Sequence, residues 1–335
     1  MTVIAMTRAS VLIPSVDATH HVNAPLERLL RKRGLPTWGI DDPNTWVPTH
    51  AMLMLAEDVQ GIVGPEAFGL WMERMSVLAA LGPFADTLRR SRTLSDALRH
   101  YRRFYREFRN YAKLSMVWDG GYLWIHRFVD AGTPGNKEIL QLYAINEMAN
   151  VVRLAAGENW QPKKVVLQPN ATPLLETMPH LAGASALTGA SFCGIGIPGK
   201  LLSQPIMSQP LDRRIQNAGG ATVLAPPPDS LSNSLLAVIS NLFHDGYPDI
   251  DAVAETVGVS RRTLQRGLSA EGLTYRDMID YYRFETAKRL IREDRIKLSE
   301  VAATLEYNDA GSFSRAFQRW AGVSPRAYRA LYSQR

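Results

Sequence analysis

Four polar side chains fall within six positions near the C-terminus: Arg261, Arg262, Gln265 and Arg266. A guanidinium fork bonds the major-groove edge of guanine bidentately, and a carboxamide does the same with adenine. On a helix, Arg262, Gln265 and Arg266 are three and four positions apart and share one face. Leu264 and Leu268 repeat at four-residue spacing and supply a wall to bury. A second series follows, with Gly311, Ser312, Arg315 and Gln318 set against Phe313, Phe317 and Trp320. Its leading residues are small, which suits contacts to phosphates more than to bases.

Each series needs a supporting helix and a tight turn. Ile250 to Arg266 supplies them for the first. Val253, Ala254 and Val257 form an inner face, and Gly258 suits a left-handed turn that other residues adopt at a cost. Ser260 is an expected N-cap for the helix that follows. Leu298 to Arg319 repeats the plan, with Ser299 as the expected cap, Val301, Ala302 and Leu305 inward, and Glu306 in the turn. The second helices begin near Ser260 and Asp309, 49 residues apart. Between the motifs, Tyr275 to Arg292 predicts a bridging helix of about 27 Å at 1.5 Å per residue. That length holds two reading heads roughly one DNA turn apart, about 34 Å. Two helix-turn-helix motifs, over about residues 250–270 and 298–320, thus predict sequence-specific binding of double-stranded DNA.

Asn217 to Ser230 contains Gly219, Gly220 and Pro226 to Pro228, a run that continues neither helix nor sheet. It divides the chain into residues 1–216, a 217–230 linker and an all-α domain over 231–335. The first part reads as α+β. Leu94, Leu98, Tyr101, Tyr105, Phe108 and Ala112 recur at helical spacing. Alternation then takes over around Leu114 to Trp118 and Tyr122 to Phe128, and Asp119, Gly120 and Gly121 between them signal a hairpin turn. A helix is expected from Lys137 to Ala156, stopped by Gly157, with short strands at Lys164 to Gln168 and Phe192 to Ile197.

Bulk charge does not carry the DNA reading. Of the chain's 38 Lys+Arg and 32 Asp+Glu, residues 231–335 hold 15 and 13, so the excess is no larger there than upstream. Placement of particular basic residues is what matters. A single cysteine, Cys193, leaves no disulfide and no thiolate cluster, and suits a reducing cytoplasm. His20, His21, His50, His100, His126, His180 and His244 lack metal-ligand spacing, so no metal and no cofactor are expected. No nucleophile elbow or phosphate loop is present, which argues against an enzyme. The uncharged run Leu181 to Gly199 holds too much Gly, Ser and Thr for a membrane helix.

The segments Ser260–Arg266 (SRRTLQR), Glu271–Gly272, Phe313–Trp320 (FSRAFQRW), Gly322–Pro325 (GVSP) and Tyr328–Arg329 resemble the AraC/XylS family of bacterial transcription regulators. The resemblance implies two helices in successive major grooves, with Arg262, Gln265 and Arg266 on the first and Gly311, Ser312 and Arg315 on the second. It also implies an activator working with RNA polymerase. Family members usually carry Gly where this chain has Glu306 in the second turn. Ile40–Pro48 (IDDPNTWVP), Phe68–Leu70 (FGL) and Ser91–Leu98 (SRTLSDAL) resemble an AraC-type sensor domain labelled arabinose-binding by convention. That resemblance implies a small-molecule effector and a homodimer.

The residues themselves suggest where an effector would sit. Arg99, Arg102, Arg106, Arg109 and Lys113 form a basic helical stripe, and Arg102 and Arg106 are candidates for an anionic effector. Trp118 and Trp124 are candidates for an aromatic wall. A solvated basic face and ordinary sheet packing are the alternatives. The apolar face of Lys137 to Ala156 is a candidate dimer contact. Control by a protein partner or by abundance, with no small ligand, is the rival to the effector reading.

Overall fold

The computed structural model describes residues 3–12, 25–36, 44–74, 81, 83–130, 132–133, 135–169, 181, 183–207, 226–243, 246–293 and 296–332. His20, His21, Asp41, Asp42, His180, His244 and linker residues 217–225 lie outside the described residues. The described chain is an α+β half followed by an all-helical half, as the sequence pattern predicts.

Strand β1 (Met6–Arg8) pairs antiparallel with β2 (Trp46–Pro48). Helix α1 (Leu26–Lys32) lies between them in the chain. After β2 the backbone enters α2 (Thr49–Val63) directly, and Gly64, at φ +82°, separates it from α3 (Pro65–Arg74). Proline at the first position of α3 forgoes an N–H that has no helical partner in any case. Then come α4 (Pro83–Arg89) and α5 (Leu94–Phe108), the latter capped by Thr93, whose side chain accepts from the Asp96 N–H. The buried stripe of α5 holds the predicted Leu94, Leu98, Tyr101, Tyr105 and Phe108, but Ala112, expected to continue it, lies in the strand that follows because the helix ends at Phe108.

The hairpin β3 (Ala112–Asp119) and β4 (Tyr122–Val129) closes through Gly120 and Gly121, both at positive φ as a two-residue primed turn requires. Helix α6 (Lys137–Ala156) follows, then β5 (Lys164–Leu167), β6 (Ser185–Thr188) and β7 (Cys193–Pro198). Among the described residues these strands form one sheet in the order β3-β4-β7-β5-β6, antiparallel except for β5 with β6. Helix α6 is buried on nearly every side, including Gln141, Asn146 and Glu147. The expected dimer contact on this helix is therefore corrected. Its apolar residues run all round, and such a helix belongs inside a core.

The second half comprises α7 (Leu231–Leu242), α8 (Ile250–Val257), α9 (Arg261–Ala270), α10 (Tyr275–Arg292), α11 (Leu298–Thr304), α12 (Ala310–Ala321) and α13 (Pro325–Tyr332). The start of α7 is held twice. Ser230 caps it, and the Glu271 carboxylate accepts from the Leu231 and Ser232 N–H groups. A core around Phe313 and Phe317 holds the second motif. The core of the first motif is built around Leu235, Val253, Leu264 and Leu268, and it also takes in Ile4, Met6 and Trp46 from the other half. Asn241 donates to the Trp46 carbonyl (2.8 Å), and Asn110 donates to the carbonyls of Ile4 (2.9 Å) and Pro228 (3.0 Å).

Candidate nucleic-acid interface and sensor cavity

Helix α8 ends at Gly258 in the left-handed conformation, φ +71° and ψ +35°. Two residues on, the Ser260 hydroxyl accepts the Thr263 N–H at 3.2 Å and starts α9. Leu264, Gly267 and Leu268 turn inward. Arg261, Arg262, Gln265 and Arg266 are all exposed, as predicted. They are not equivalent. Arg261 is drawn back to Asp251 on α8 (3.0 Å), so Arg262, Gln265 and Arg266 form the outer edge.

The second unit departs from expectation at its start. Helix α11 is capped at Lys297, whose N–H is accepted by the Glu300 carboxylate at 3.0 Å. Ser299 lies inside the first turn and is not the cap, because Glu300 reaches back to Lys297, two residues before Ser299. The turn after α11 places Glu306 at φ +56°, the one non-glycine residue with positive φ among those described. The Tyr307 N–H reaches back to the Ala302 carbonyl (2.9 Å) and closes the turn. Asp309 caps α12, accepting from the Ser312 N–H and hydroxyl, each at 2.7 Å. Arg315 donates to the same hydroxyl at 3.0 Å. These Ser312 bonds hold the Asp309 carboxyl below the usual range. Gly311, Arg315 and Gln318 are exposed and Ser312 half-buried, while Phe313 and Phe317 are buried.

The predicted effector residues are not gathered at one point. Arg102 and Arg106 are exposed on α5. Trp118 and Trp124 lie on paired strands, but the register sets Trp118 opposite Leu123 and Trp124 opposite Val117. Side chains alternate along a strand, so the two indoles face opposite sides of the sheet. The basic stripe also divides. Past the end of α5 the backbone becomes extended at Arg109, and this side chain turns inward to pair with Glu147 at 2.7 Å, both fully buried.

Arg109 borders a cavity of about 60 Å³ between β1, α2, α3 and α6. Thr49, Met52, Leu53 and Ala56 of α2 line it, with Trp71, Tyr111 and Tyr143 opposite, and none of the four predicted effector residues does. Behind the wall, buried Arg127 donates to the Leu140 carbonyl (3.0 Å) and the Tyr111 hydroxyl (3.2 Å). Burial pushes the Tyr105 hydroxyl up to about 12, so it stays neutral beside these charges. Burial also raises the Cys193 thiol, which favours its inert form. Sequence reasoning passed over Glu147. Its one signal is a carboxylate in the otherwise uncharged stretch from Ile139 to Val152 of α6.

Two families match the chain. Residues 253–331 match a helix-turn-helix domain, and residues 24–206 match the arabinose-binding N-terminal domain of AraC transcription regulators. The chain belongs to the AraC family of transcription regulators. The HTH-type transcriptional regulator VirS of Mycobacterium tuberculosis is 24% identical over 329 residues, covering 97% of each chain. The ornithine utilization regulator of Pseudomonas aeruginosa is 24% identical over 297 residues, 87% of this chain and 86% of its own. The HTH-type transcriptional activator RhaS of Escherichia coli is 35% identical over 98 residues, 29% of this chain and 35% of its own.

In this AraC-family regulator the two matched parts touch. Helix α2 of the sensor half packs against α8 of the first reading head, and His50 lies against Gly258. The end of α1 approaches too, with Gly34 against Leu242 and Thr256. No helix among the described residues is long and apolar enough to cross a membrane.

Proposed function

We propose that this regulator reads a double-stranded DNA operator with two unequal heads and has no catalytic activity of its own. The observation that carries the reading is the pair of exposed polar faces on α9 and α12, each backed by a buried apolar wall. Arg262, Gln265 and Arg266 suit base edges, while Arg261, tethered to Asp251, suits a phosphate. Gly311, Ser312, Arg315 and Gln318 meet the neighbouring groove. The Asp309–Ser312–Arg315 chain of bonds occupies the groups that would otherwise reach bases, so this head anchors more than it reads.

Residues 1–216 sense an effector and dimerise, 217–230 link, and 231–335 bind DNA in the cytoplasm. Similarity to RhaS, an activator by name, supports activation through RNA polymerase. The effector site is better sought at the cavity beside Arg109 than at Arg102, Arg106, Trp118 and Trp124, which are solvent-facing or on opposite sheet faces. Selection of random duplexes by the full chain should enrich sites with two conserved blocks one helical turn apart. Enrichment of a single block, or of none, would overturn the two-headed reading.

A further inference from the structure

The cavity beside Arg109 has an uneven chemistry. Met52, Leu53, Ala56, Met72 and Ile139 make most of its wall apolar. Several of its polar groups are donors short of acceptors, while the Glu147 Oε1 beside Arg109 is a buried acceptor also without a partner among the described residues. The Trp71 Nε1, the Tyr143 hydroxyl, the Thr49 hydroxyl and the Arg109 Nε are buried without a hydrogen-bond partner among the described residues. Indole and guanidinium N–H groups donate and never accept. Orphaned buried donors call for an explanation, and a ligand acceptor is one.

Charge points the same way. Arg109 is matched by Glu147, but Arg127 is bonded to a carbonyl, a tyrosine hydroxyl and the neutral Cys193 thiol, and has no carboxylate partner among the described residues. Two of its partners, Leu140 and Tyr111, line the cavity. One buried positive charge is therefore in excess, and an uncompensated buried charge is strongly unfavourable. A bond from Arg127 to the oxygen of Tyr111 leaves that hydroxyl's own proton free to donate.

We infer that this cavity binds a small organic monoanion, a carboxylate on a short apolar body, and that its entry loosens the first reading head. This rests on the reading that the N-terminal half senses an effector. A sugar fits poorly, because its hydroxyls would face the apolar wall without partners. At about 60 Å³ the space is well below the roughly 150 Å³ that holds a benzene. A ligand of more than a few heavy atoms must push a wall outward. Helix α2 is that wall, and the same helix presses His50 onto Gly258. Ligand binding and head docking thus compete for the position of one helix, which gives the differential affinity that a conformational response requires.

The test is calorimetry on the full chain with propionate, butyrate and benzoate, the matching alcohols, and L-arabinose. The carboxylates should bind at least tenfold more tightly than the alcohols. Ala56→Phe, which fills the cavity, should abolish this binding while the thermal transition stays cooperative. His50→Ala, outside the cavity lining, should tighten carboxylate binding severalfold, because the docked head no longer opposes movement of α2. Equal binding of alcohols, or arabinose binding lost in Ala56→Phe, would overturn the anion class and leave the sensor reading standing. Carboxylate binding indifferent to Ala56→Phe would overturn the site, and indifference to His50→Ala would overturn the coupling. Failure of every probe would count against the sensor reading itself.

Discussion

The His50 imidazole occupies the space into which a side chain on Gly258 would project. A Cβ built there would come within 2.5 Å of the ring Cγ. Gly258 is the turn of the first reading head, at φ +71°, and His50 sits in the first turn of α2 in the sensor half. The position therefore demands glycine twice, once for its backbone and once for the room it leaves. A residue explained locally by turn geometry is also where the two halves of the molecule meet.

Gly258→Ala should lose stability through both demands. The left-handed backbone contributes roughly 1 kcal/mol. The collision with His50 adds to it. In a His50→Ala background the second contribution should vanish and the first remain. A double-mutant cycle by urea unfolding should give an interaction of at least about 0.5 kcal/mol. Strict additivity would mean that the contact is not made in solution.

The same contact should respond to acid. Burial holds the His50 imidazole below its ordinary value of 6.5, with Glu57 opposing and Arg33 adding to the depression. The docked arrangement thus binds fewer protons than the undocked one, and protonation favours release. Docking should be unaffected well above pH 6.5 and weaken as pH falls below it. Hydrogen exchange over α8 reads this directly. Faster exchange at low pH is expected for the native chain, and a flat response for His50→Phe. Tighter docking on acidification would contradict the sign.

Local patterns made much of this molecule legible. Period and caps give α6 and α10 their observed bounds, and Gly120 and Gly121 give the hairpin. The strained turn at Glu306 follows from its place in the motif. What escaped depends on contacts distant in sequence. Ile4, Met6 and Trp46 read as ordinary apolar residues, and nothing local says that they complete the core of the first reading head. Arg109 fits the basic stripe by spacing, but α5 ends at Phe108, and one extended residue turns the side chain from solvent to core. Once inside it needs a countercharge, and Glu147 lies 38 positions away.

Arg262→Ala should weaken operator binding by about 1–3 kcal/mol and relax preference at one base position. Arg261→Ala should act differently, because Asp251 already holds that guanidinium. Its loss should lower affinity evenly across sequences and reduce the salt dependence. Binding measured on a library of single-base operator variants separates the two. The same profile for both substitutions would refute the division of labour on α9.

Glu306→Gly should relieve a left-handed backbone at roughly 1 kcal/mol. Its carboxylate lies beside Gly246, where a Cβ would come within 3.0 Å of Oε1, and Gly246 itself is at φ +112°. The substitution removes this contact along with the strain. Stability of the C-terminal half should rise, and affinity for DNA should rise or hold. A drop in affinity without a drop in stability would show that the carboxylate positions the second head.

Glu147→Gln should be among the most destabilising changes in the sensor half. The substitution keeps the shape but removes the carboxylate bonded to Arg109, and both residues are buried. Breaking one side of a buried pair leaves the other charge uncompensated, at about 3–5 kcal/mol. Here the deficit deepens, because Arg127 already lacks an acidic partner among the described residues. Replacing both partners, as Arg109→Met with Glu147→Leu, should destabilise less than Glu147→Gln alone. Denaturant unfolding of the three proteins gives the comparison. If the double replacement proved the worse, the pair would contribute more attraction than its desolvation removes, and Arg109 would be held by Glu147 too firmly to turn toward a ligand.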